Sequence, residues 1–326
     1  MNSLCDLLEK NYPRFGRVIE ISQVDAHGIN SKNYIVKFND SPKKFLFKLL
    51  FEGQERTERV LSLIMHCRKK GCKVPQIIET DSLEIFVETD EGHAYLQKFF
   101  EGGQLDGSDR ELEDLAAEIA KLHLAMARYT GGLPKHKKSG LYAHLSDYEL
   151  DEVEAKIREK SRVEKFDLCV LESLPKIREA YSKNKDFSRK VGKKEIPKQP
   201  IHYDLTVDNS IFQNGKLQCI LDFDSARIGE RVRDVAFACF RYSFYGGADP
   251  AEAKKRTDKF LASYCSTNPL GKDESDAVAQ YYVDECLNRV SYILRDNYFN
   301  KNPEWNFELE KHLGGIIMVQ RMEEIK

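Results

Sequence analysis

The sequence predicts an α+β fold of two lobes: a small antiparallel β-sheet lobe with one helix, then a larger, mainly helical lobe that contains a β-hairpin. The length of 326 residues exceeds the usual size of a single domain. Strand-like alternation dominates the sequence up to residue 100, and helical periodicity dominates it after the break at Glu101-Gly102-Gly103. We therefore expect one lobe at residues 1–100 and a second at residues 101–326.

The composition narrows the class of protein. Charged residues make up 32% of the chain but the formal net charge is only −2, which argues against a nucleic-acid-binding protein and against a disordered acidic chain. The first residues carry no basic segment followed by an apolar run, and no stretch has the length of a membrane-spanning helix. Eight cysteines without CxxC spacing favour reduced, buried thiols over a zinc site or disulfides. We expect a cytoplasmic protein with no membrane or nucleic-acid partner and no obligatory protein partner.

The first lobe is predicted to be a sheet of about five strands with one packed helix. Alternation places strand segments at 16–24, 33–38, 44–50, 77–78, 83–88 and 94–100, after a short helix at 3–11. The helix at 52–70 presents an apolar face and ends before Gly71. The turn at 25–31 contains Gly28 and Ser31 and could lie over nucleotide phosphates. The alternative is an ordinary turn that binds no ligand.

Lys48 places one cation inside the apolar stretch FLFKLL. A lysine there is costly unless its ammonium reaches water or is paired, and kinases use such a lysine to hold nucleotide phosphates. The alternative is an ordinary lysine on an edge strand. On the next helix, Glu55 and Glu58 lie three residues apart, and either could pair with Lys48 and aim it at phosphate. We favour Glu58; the alternative is that both are solvated.

The second lobe is predicted to be helical, with helices at 109–128, within 146–180, and at 235–242, 250–265, 273–298 and 306–324. The basic run at 182–198 is expected to be a solvated linker rather than an anion-binding patch. Asp234 precedes the apolar helix that begins at Val235, so we expect it to be the N-cap residue. Acidic residues at 147–154 are expected to form a solvated face, with attraction of a cationic substrate as the alternative.

The segment at 201–224 reads IHYDLTVDNSIFQNGKLQCILDFD. Its stretches at 209–212 and 217–223 are predicted to be strands, and Asn214-Gly215 between them is a hairpin turn signal. A hairpin of this length places the start of the first strand beside the end of the second.

Those two strand ends carry the residues that phosphoryl transfer needs. Asn209 and Asp222 would converge there, and two oxygen ligands can hold Mg²⁺ while water and nucleotide phosphates fill its other positions. Asp204, on the preceding loop, would orient a substrate hydroxyl and accept its proton. The alternative is an acidic surface hairpin that happens to contain His and Asn.

Lys48, the glutamate-bearing helix and the motifs at 200–236 together resemble the aminoglycoside phosphotransferase and choline kinase family. Members of that family have a protein-kinase-like fold, a loop like HGDLHPGN, a metal strand like IDFDDA and a downstream DLA. This chain has HYDLTVDN from His202, LDFDSA from Leu221 and DVA from Asp234. The resemblance extends roughly from residue 17 to 300 and implies the same fold, with the first lobe gripping the nucleotide.

The resemblance also implies roles for individual residues. Asp204 would be the catalytic base, Asn209 and Asp222 would bind Mg²⁺, and Lys48 would hold the α- and β-phosphates of ATP or GTP. Auxiliary roles are implied for Asp224 as a further metal or substrate contact, His202 and Asp234 as supports of their loops, and Gln97 to Phe99 as the hinge that meets adenine. Two departures stand out: Tyr203 replaces a small residue, and the nucleotide turn has a single glycine.

The expected activity is transfer of a γ-phosphoryl group to a hydroxyl of a small molecule, with an aminoglycoside-like or amino-alcohol acceptor. A protein kinase is the nearest alternative, but the segment between Asp224 and Val235 is short and no Ala-Pro-Glu follows. A nucleotide-binding pseudoenzyme is the second alternative. The acceptor stays open, because acidic residues of the helical lobe suit an amine, whereas Arg227, Arg231 and Arg233 suit an anionic metabolite. The alternative for these arginines is that they only face the solvent.

Overall fold

The computed structural model describes residues 2–24, 31–134, 144–191 and 196–325. The chain divides into two compact units, one formed by Met1–Lys135 with Pro200–Ile228 and the other by His136–Gln199 with Gly229–Lys326. The predicted architecture is confirmed: an antiparallel sheet forms the N-terminal part, and the later part is mainly helical and contains the β-hairpin. The hairpin belongs to the first unit. The lobe limits at 1–100 and 101–326 stay a prediction.

Within the described residues, the first unit contains a six-stranded antiparallel sheet. Its strands are β1 (Val18–Val24), β2 (Ser31–Phe38), β3 (Lys44–Leu50), β4 (Ile77–Ile78), β5 (Val87–Thr89) and β6 (Gly92–Lys98). Their order is β1-β2-β3-β6-β4, and β5 pairs with β6. The predicted strand at 83–88 is shortened to β5, because Leu83 adopts a positive φ of 66° and its N–H donates to the carbonyl of Thr80 at 3.0 Å.

The helices of this unit are α1 (Asn2–Asn11), α2 (Gln54–Lys69) and α3 (Asp109–Met126). Leu8 of α1 and the following Tyr12 are buried in one cluster with Phe47 and Leu96 of the sheet. α2 buries the apolar face that the sequence predicts. Removal of these side chains from water is the main term that stabilises the unit.

Residues 200–228, which contain the predicted hairpin, complete the first unit. The strands of this part of the chain are β7 (Lys198–Ile201), β8 (Ser210–Gln213), β9 (Lys216–Ile220) and β10 (Arg227–Glu230). β8 and β9 are antiparallel, and Asn214 and Gly215 between them have φ of 55° and 71°, the left-handed conformation that a two-residue hairpin turn requires. Asp114 of α3 accepts a hydrogen bond from Leu217 N at 2.8 Å, which fixes the hairpin to α3.

The second unit is helical in the part of the chain that the structure describes. Its helices are α4 (Asp147–Arg158), α5 (Lys165–Val191), α6 (Arg231–Ser243), α7 (Pro250–Thr267), α8 (Lys272–Ser275), α9 (Val278–Tyr298) and α10 (Leu309–Glu323). α6, α9 and α10 contribute Phe240, Tyr282, Leu287 and Leu313 to one buried cluster. The predicted helix at 273–298 is thus divided into α8 and α9.

The linker prediction for the basic run at 182–198 is wrong for its first half. α5 continues to Val191, and Lys183 pairs with Glu179 one turn earlier at 2.9 Å. Asn184 on the same helix is buried and donates to Asp284 of α9 at 2.9 Å. These contacts extend the helix through the basic residues. Residues 192–195 of the run lie outside the described residues.

The N-cap prediction for Asp234 is also wrong. α6 begins at Arg231, so Asp234 lies inside the first turn, where it is buried, and Glu230 occupies the cap position. The early start has a physical cause, because two nitrogens of Arg231 donate to the carboxylate of Glu274 at 3.0 and 2.6 Å. A carboxylate in a first helical turn still interacts favourably with the helix dipole.

All eight cysteines are free thiols, as predicted, and five of them are buried. Burial raises the pKa of the Cys219 and Cys239 thiols, so they remain protonated and pack as apolar side chains. Among the described helices, none is long and apolar enough to cross a membrane.

Candidate active site

The hairpin brings its two predicted metal-binding positions to one end, as expected from its register. Ser210 pairs with Ile220, and Leu221 N donates to Asn209 O at 2.8 Å. Asn209 and Asp222 therefore flank the open end of the hairpin, next to the loop that carries Asp204.

His202 fixes the backbone of that loop. Its Nδ1 accepts a hydrogen bond from Asp204 N at 3.2 Å, so the ring proton lies on Nε2, which donates to Leu221 O at 2.8 Å. The ring is fully buried and makes an edge contact with Phe223, with ring centroids 4.5 Å apart. His202 thus links the loop of Asp204 to the segment of Asp222.

Asp204 and Asn209 are joined through the asparagine amide. Asn209 Nδ2 donates to both the backbone O and the Oδ2 of Asp204, each at 2.9 Å. The amide nitrogen is therefore directed at Asp204, and the amide oxygen is the atom of Asn209 that could bind a cation.

Lys48 on β3 lies between two carboxylates. The side chain is buried, and Nζ lies 2.9 Å from Asp222 Oδ1 and 2.6 Å from Asp224 Oδ2. Burial alone would lower the pKa of this ammonium, but Tyr95, Asp224 and Asp222 together raise it above its usual range. Lys48 is therefore a permanent cation in contact with the hairpin.

The predicted Lys48–Glu58 pair does not form, and the Glu55 alternative does not form either. Glu58 is exposed and accepts a hydrogen bond from Gln54 at 2.8 Å, whereas Glu55 pairs with Arg59. Both carboxylates lie on the solvent side of α2, while the ammonium is buried. The two aspartates of the hairpin take the place of the predicted glutamate.

Asp222 and Asp224 differ in their ionisation. Burial would raise the pKa of Asp222, but Lys48 reverses the effect and lowers it. Burial and the neighbouring charge of Asp222 raise the pKa of Asp224 to about 6, against the opposing effect of Lys48. One ammonium therefore compensates one carboxylate, and the second carboxylate needs more positive charge.

The oxygens of this cluster fit a hard divalent cation. Asp224 Oδ1 is buried, and no described residue donates a hydrogen bond to it. Two carboxylates and one amide oxygen are suitable ligands for Mg²⁺, which keeps several positions for water and phosphate. No group of three or more His, Cys, Asp or Glu side chains with metal-binding geometry occurs among the described residues, so such a site would depend on Asn209 as well.

Arg56 is a site residue that sequence reasoning missed. From the first turn of α2, its Nη2 donates to the backbone O of Asp224, and Glu52 pairs with its guanidinium. The Glu52–Arg56 spacing is visible in the sequence as an i,i+4 pair. The carbonyl of Asp224 lies 168 residues away and gives no local signal.

Tyr203 and Arg227 form a second unpredicted contact. Tyr203 has a φ of 72°, a left-handed conformation that favours glycine, the kind of small residue that the resembled family has here. The guanidinium of Arg227 lies 3.8 Å from the centre of the Tyr203 ring, and Arg227 Nε donates to Ser225 O at 2.8 Å. Stacking of a cation on the ring offsets part of the backbone cost.

The predicted nucleotide contacts are only partly placed. Gly28 lies outside the described residues, and Ser31 is the first residue of β2, opposite Leu50 of β3. Gln97 is buried in β6 between Leu46 and Ile77. In the same segment, Lys98 N donates to Gln76 O at 2.9 Å and Phe99 N donates to Lys44 O at 3.2 Å. These two N–H groups are therefore committed to hydrogen bonds within the unit.

An antiparallel sheet with a buried lysine, a loop that carries Asp204 and Asn209, and a hairpin followed by two aspartates is the arrangement of a kinase-like phosphotransferase. Residues 21–267 match the phosphotransferase enzyme family (APH), and the chain belongs to this family. The prediction of an enzyme of this class is thereby confirmed.

Individual proteins support the same conclusion. A homoserine kinase of Agrobacterium fabrum is 25% identical over 262 residues, which cover 78% of this chain and 73% of that protein. The structure of spectinomycin phosphotransferase with ADP and spectinomycin is similar, with a TM-score of 0.74 at 14% identity. The match covers 99% of this chain and 98% of the spectinomycin phosphotransferase chain. A microcompartment-associated aminopropanol kinase has a TM-score of 0.66 at 13% identity, with coverage of 99% and 98%. The two structures confirm the kinase-like fold.

Proposed function

We propose that this protein transfers the γ-phosphoryl group of ATP, with GTP as the alternative nucleotide, to a hydroxyl of a small amino alcohol or aminoglycoside-like molecule. The observation that carries the proposal is the cluster of Lys48, Asp222 and Asp224, with N–O distances of 2.9 and 2.6 Å. It combines a phosphate-binding cation with oxygen ligands for a metal ion. The similarity to a homoserine kinase and to an aminopropanol kinase supports an acceptor that carries both an amine and a hydroxyl.

In the proposed reaction, Asp204 accepts the proton of the acceptor hydroxyl. The hydroxyl oxygen forms a bond to the γ-phosphorus while the bond from that phosphorus to the β,γ-bridging oxygen breaks, which releases the nucleoside diphosphate. Asn209 holds the Asp204 carboxylate from one side, and His202 holds its backbone N–H. Fixed geometry of this kind supplies much of the acceleration in phosphoryl transfer.

Asn209 and Asp222, with Asp224 as an auxiliary ligand, would hold Mg²⁺, which supplies neutralisation of charge between the β- and γ-phosphates. Lys48 would then turn its ammonium to the α- and β-phosphates. Ser31, Gln97 and Phe99 remain the proposed nucleotide contacts, together with Gly28. Because the N–H groups of Lys98 and Phe99 are already donors within the unit, adenine would meet carbonyl oxygens of this segment.

A coupled assay with ATP or GTP, Mg²⁺ and a panel of homoserine, aminopropanol, choline and spectinomycin tests the proposal. We expect turnover of at least one acceptor, and Asp204→Asn should lower kcat about 100-fold or more because the proton acceptor is lost. Nucleotide binding by thermal shift should persist in that variant.

Asp208→Asn is the matched control, since Asp208 is an exposed carboxylate of the same loop that accepts a hydrogen bond from Gln104. Wild-type turnover by Asp204→Asn would refute the role of Asp204. Thermal stabilisation by nucleotide without turnover of any acceptor would favour the pseudoenzyme alternative.

A further inference from the structure

A cavity of about 290 Å³ lies among α6, α9 and α10, within the second unit. Arg241 and Lys311 supply its positive charge, and Phe244, Tyr245 and Tyr282 supply aromatic walls. None of the residues of the Lys48–Asp222 cluster lines it. Concave sites that combine apolar walls with a few polar groups are the usual form of a small-molecule site.

The charge of Arg241 is not paired with a carboxylate in the part of the chain that the structure describes. Among the described residues, no carboxylate lies within ion-pair distance of its guanidinium, and its Nε is buried without a hydrogen-bond acceptor. Its Nη2 lies 3.4 Å from His312 Nδ1, and its guanidinium lies 5.1 Å from the centre of the Phe237 ring. A guanidinium that is partly removed from water without a counter-charge is destabilising, and a bound anion would offset that cost.

The groups around Arg241 leave its charge uncompensated. His312 Nδ1 accepts from Arg241, so its Nε2 carries the proton and faces Glu308 at 3.2 Å. Burial, together with the charges of Arg241 and Arg289, lowers the pKa of His312 to about 4, although Glu308 opposes this shift. Glu308 also pairs with Lys311 at 3.1 Å, and Lys311 is exposed at the cavity rim. The interior of the cavity is therefore positive.

The walls suit a flat apolar body. The rings of Phe244 and Tyr282 meet at an interplanar angle of 81° with centroids 5.8 Å apart, and Phe240 packs behind both rings. Aromatic rings of this arrangement can receive a further ring by edge or stacked contact.

Two adjacent glycines in α10 line the cavity for different reasons. A Cβ on Gly315 would lie 2.7 Å from Tyr282 Oη, so glycine is required there for the approach of α10 to α9. A Cβ on Gly314 would meet nothing within 4 Å. Glycine inside a helix is destabilising relative to alanine, and packing does not require it at position 314. The consequence of Gly314 is an open cavity wall.

We propose that this cavity binds a small aromatic carboxylate of about the size of benzoate, with its carboxylate on Arg241 and its ring against Phe244 and Tyr282. The proposal concerns a second ligand site and does not depend on the phosphotransfer reaction.

Ligand-observed NMR with the intact protein tests this site. Benzoate is the probe, benzamide is its neutral isostere, and acetate is the anion without a ring. We expect a Kd for benzoate on the order of 1 mM and about tenfold weaker binding of the other two. Benzoate should also raise the pKa of His312 in a histidine NMR titration, because it offsets the charge of Arg241.

Variants locate the binding. Arg241→Gln should weaken benzoate at least about tenfold, the factor expected for loss of a charge-assisted pair. Gly314→Leu should weaken it by filling the cavity while it strengthens α10 as a helix former. Arg289→Gln is the matched control, since it removes an equal charge near His312 but does not line the cavity.

The proposal is overturned if benzoate does not bind at about 10 mM, if benzamide or acetate binds as well as benzoate, or if Arg289→Gln weakens binding as much as Arg241→Gln. Should Arg241→Gln melt early, Gly314→Leu alone decides: unchanged benzoate binding by that variant refutes the cavity as the site.

Discussion

At the scale of single residues, Lys48 is the position where stability and the proposed chemistry meet. Its ammonium is buried and contacts two carboxylates that also form the proposed metal site. An ion pair of this kind is costly to break from one side, because it leaves a buried charge without a partner. Ligands could take over both sides of this ion pair. Nucleotide phosphates could replace the aspartates beside Lys48, and a metal ion could replace Lys48 beside the aspartates.

Lys48→Met should therefore destabilise the metal-free protein by about 2 kcal/mol. This is below the roughly 3–5 kcal/mol typical of fully buried pairs, because the Asp222 side chain is 41% exposed. Mg²⁺ should stabilise this variant more than it stabilises the wild type, since it replaces the lost cation beside the carboxylates. Denaturant unfolding with and without Mg²⁺ measures both effects.

Lys44→Met is the control, because Lys44 lies on the same strand but pairs at the surface with exposed Glu101 at 2.9 Å. That change should cost under about 1 kcal/mol. Two outcomes would contradict the proposed role of the Lys48–Asp222–Asp224 cluster. One is an equal loss of unfolding free energy in the two variants, and the other is equal stabilisation of Lys48→Met and wild type by Mg²⁺.

His312 gives a prediction for pH. Its pKa in the folded protein is lowered by burial to about 4, against an ordinary value near 6.5. Protonation therefore favours the unfolded chain, so the contribution of His312 is fully present above pH 6.5 and is lost as the pH falls towards 4. The size of that loss is about 3 kcal/mol.

His312→Gln should remove this part of the pH dependence, because glutamine can accept from Arg241 and donate to Glu308 without titrating. Urea unfolding at several pH values between 7 and 4.5 compares the two proteins. The free energy of unfolding of the wild type should fall more steeply than that of the variant over this range. Parallel curves would show that His312 is protonated normally in the folded state.

At the scale of elements, local patterns were enough to predict the strands and most helices, but partners across the chain were not predictable. β3 and the Asn214-Gly215 turn are set by alternation and by two residues that tolerate positive φ. The partner of Lys48 lies 174 residues away, and no local pattern distinguishes Asp222 from Glu58 for that role. Lys48 and the hairpin aspartates could therefore be named as candidates from the sequence, but the contact between them and the part of Arg56 could not.

The end of α5 and the start of α6 were predicted wrongly for the same reason, because contacts between distant residues set them. α5 runs beyond the predicted end because buried Asn184 bonds to Asp284, and α6 begins early because Arg231 is held by Glu274. Both are tertiary contacts that override a local signal of linker or cap. Polar side chains with long-range partners are thus the main source of error in this sequence.

Helix α2 is linked to the hairpin through Arg56, which holds the carbonyl of Asp224. Arg56→Ala should lower kcat about tenfold and raise the Mg²⁺ concentration needed for half-maximal activity. The reason is that the segment with Asp222 and Asp224 loses the hydrogen bond that holds its backbone. Arg56→Lys should recover part of the loss, since lysine can still donate to the carbonyl. Steady-state kinetics over a range of Mg²⁺ concentrations measure these effects.

Arg59→Ala is the control on the same helix, because Arg59 pairs with exposed Glu55 and does not contact the hairpin turn. A merely structural role of Arg56 would lower the melting temperature and leave the Mg²⁺ dependence unchanged. That result, or equal kinetics in Arg56→Ala and Arg59→Ala, would remove Arg56 from the site.

At the scale of the whole molecule, segments far apart in sequence supply the proposed nucleotide and metal contacts within the first unit. β3 contributes Lys48, and the segment at 201–224 contributes the aspartates and the asparagine. A ligand that contacts both segments should reduce local unfolding of both, because it binds only when both segments are folded.

Hydrogen exchange with and without Mg²⁺ and a non-hydrolysable ATP analogue should therefore slow in β3 and in residues 201–224 together. The measurement needs no acceptor, so it tests the nucleotide site even while the acceptor is unidentified. Asp204→Asn should keep this protection, because Asp204 is assigned to the acceptor hydroxyl, whereas Asp222→Asn should weaken it through loss of a metal ligand. Protection of 201–224 without β3 would separate Lys48 from the nucleotide, and loss of protection in Asp204→Asn would move Asp204 from proton acceptor to nucleotide ligand.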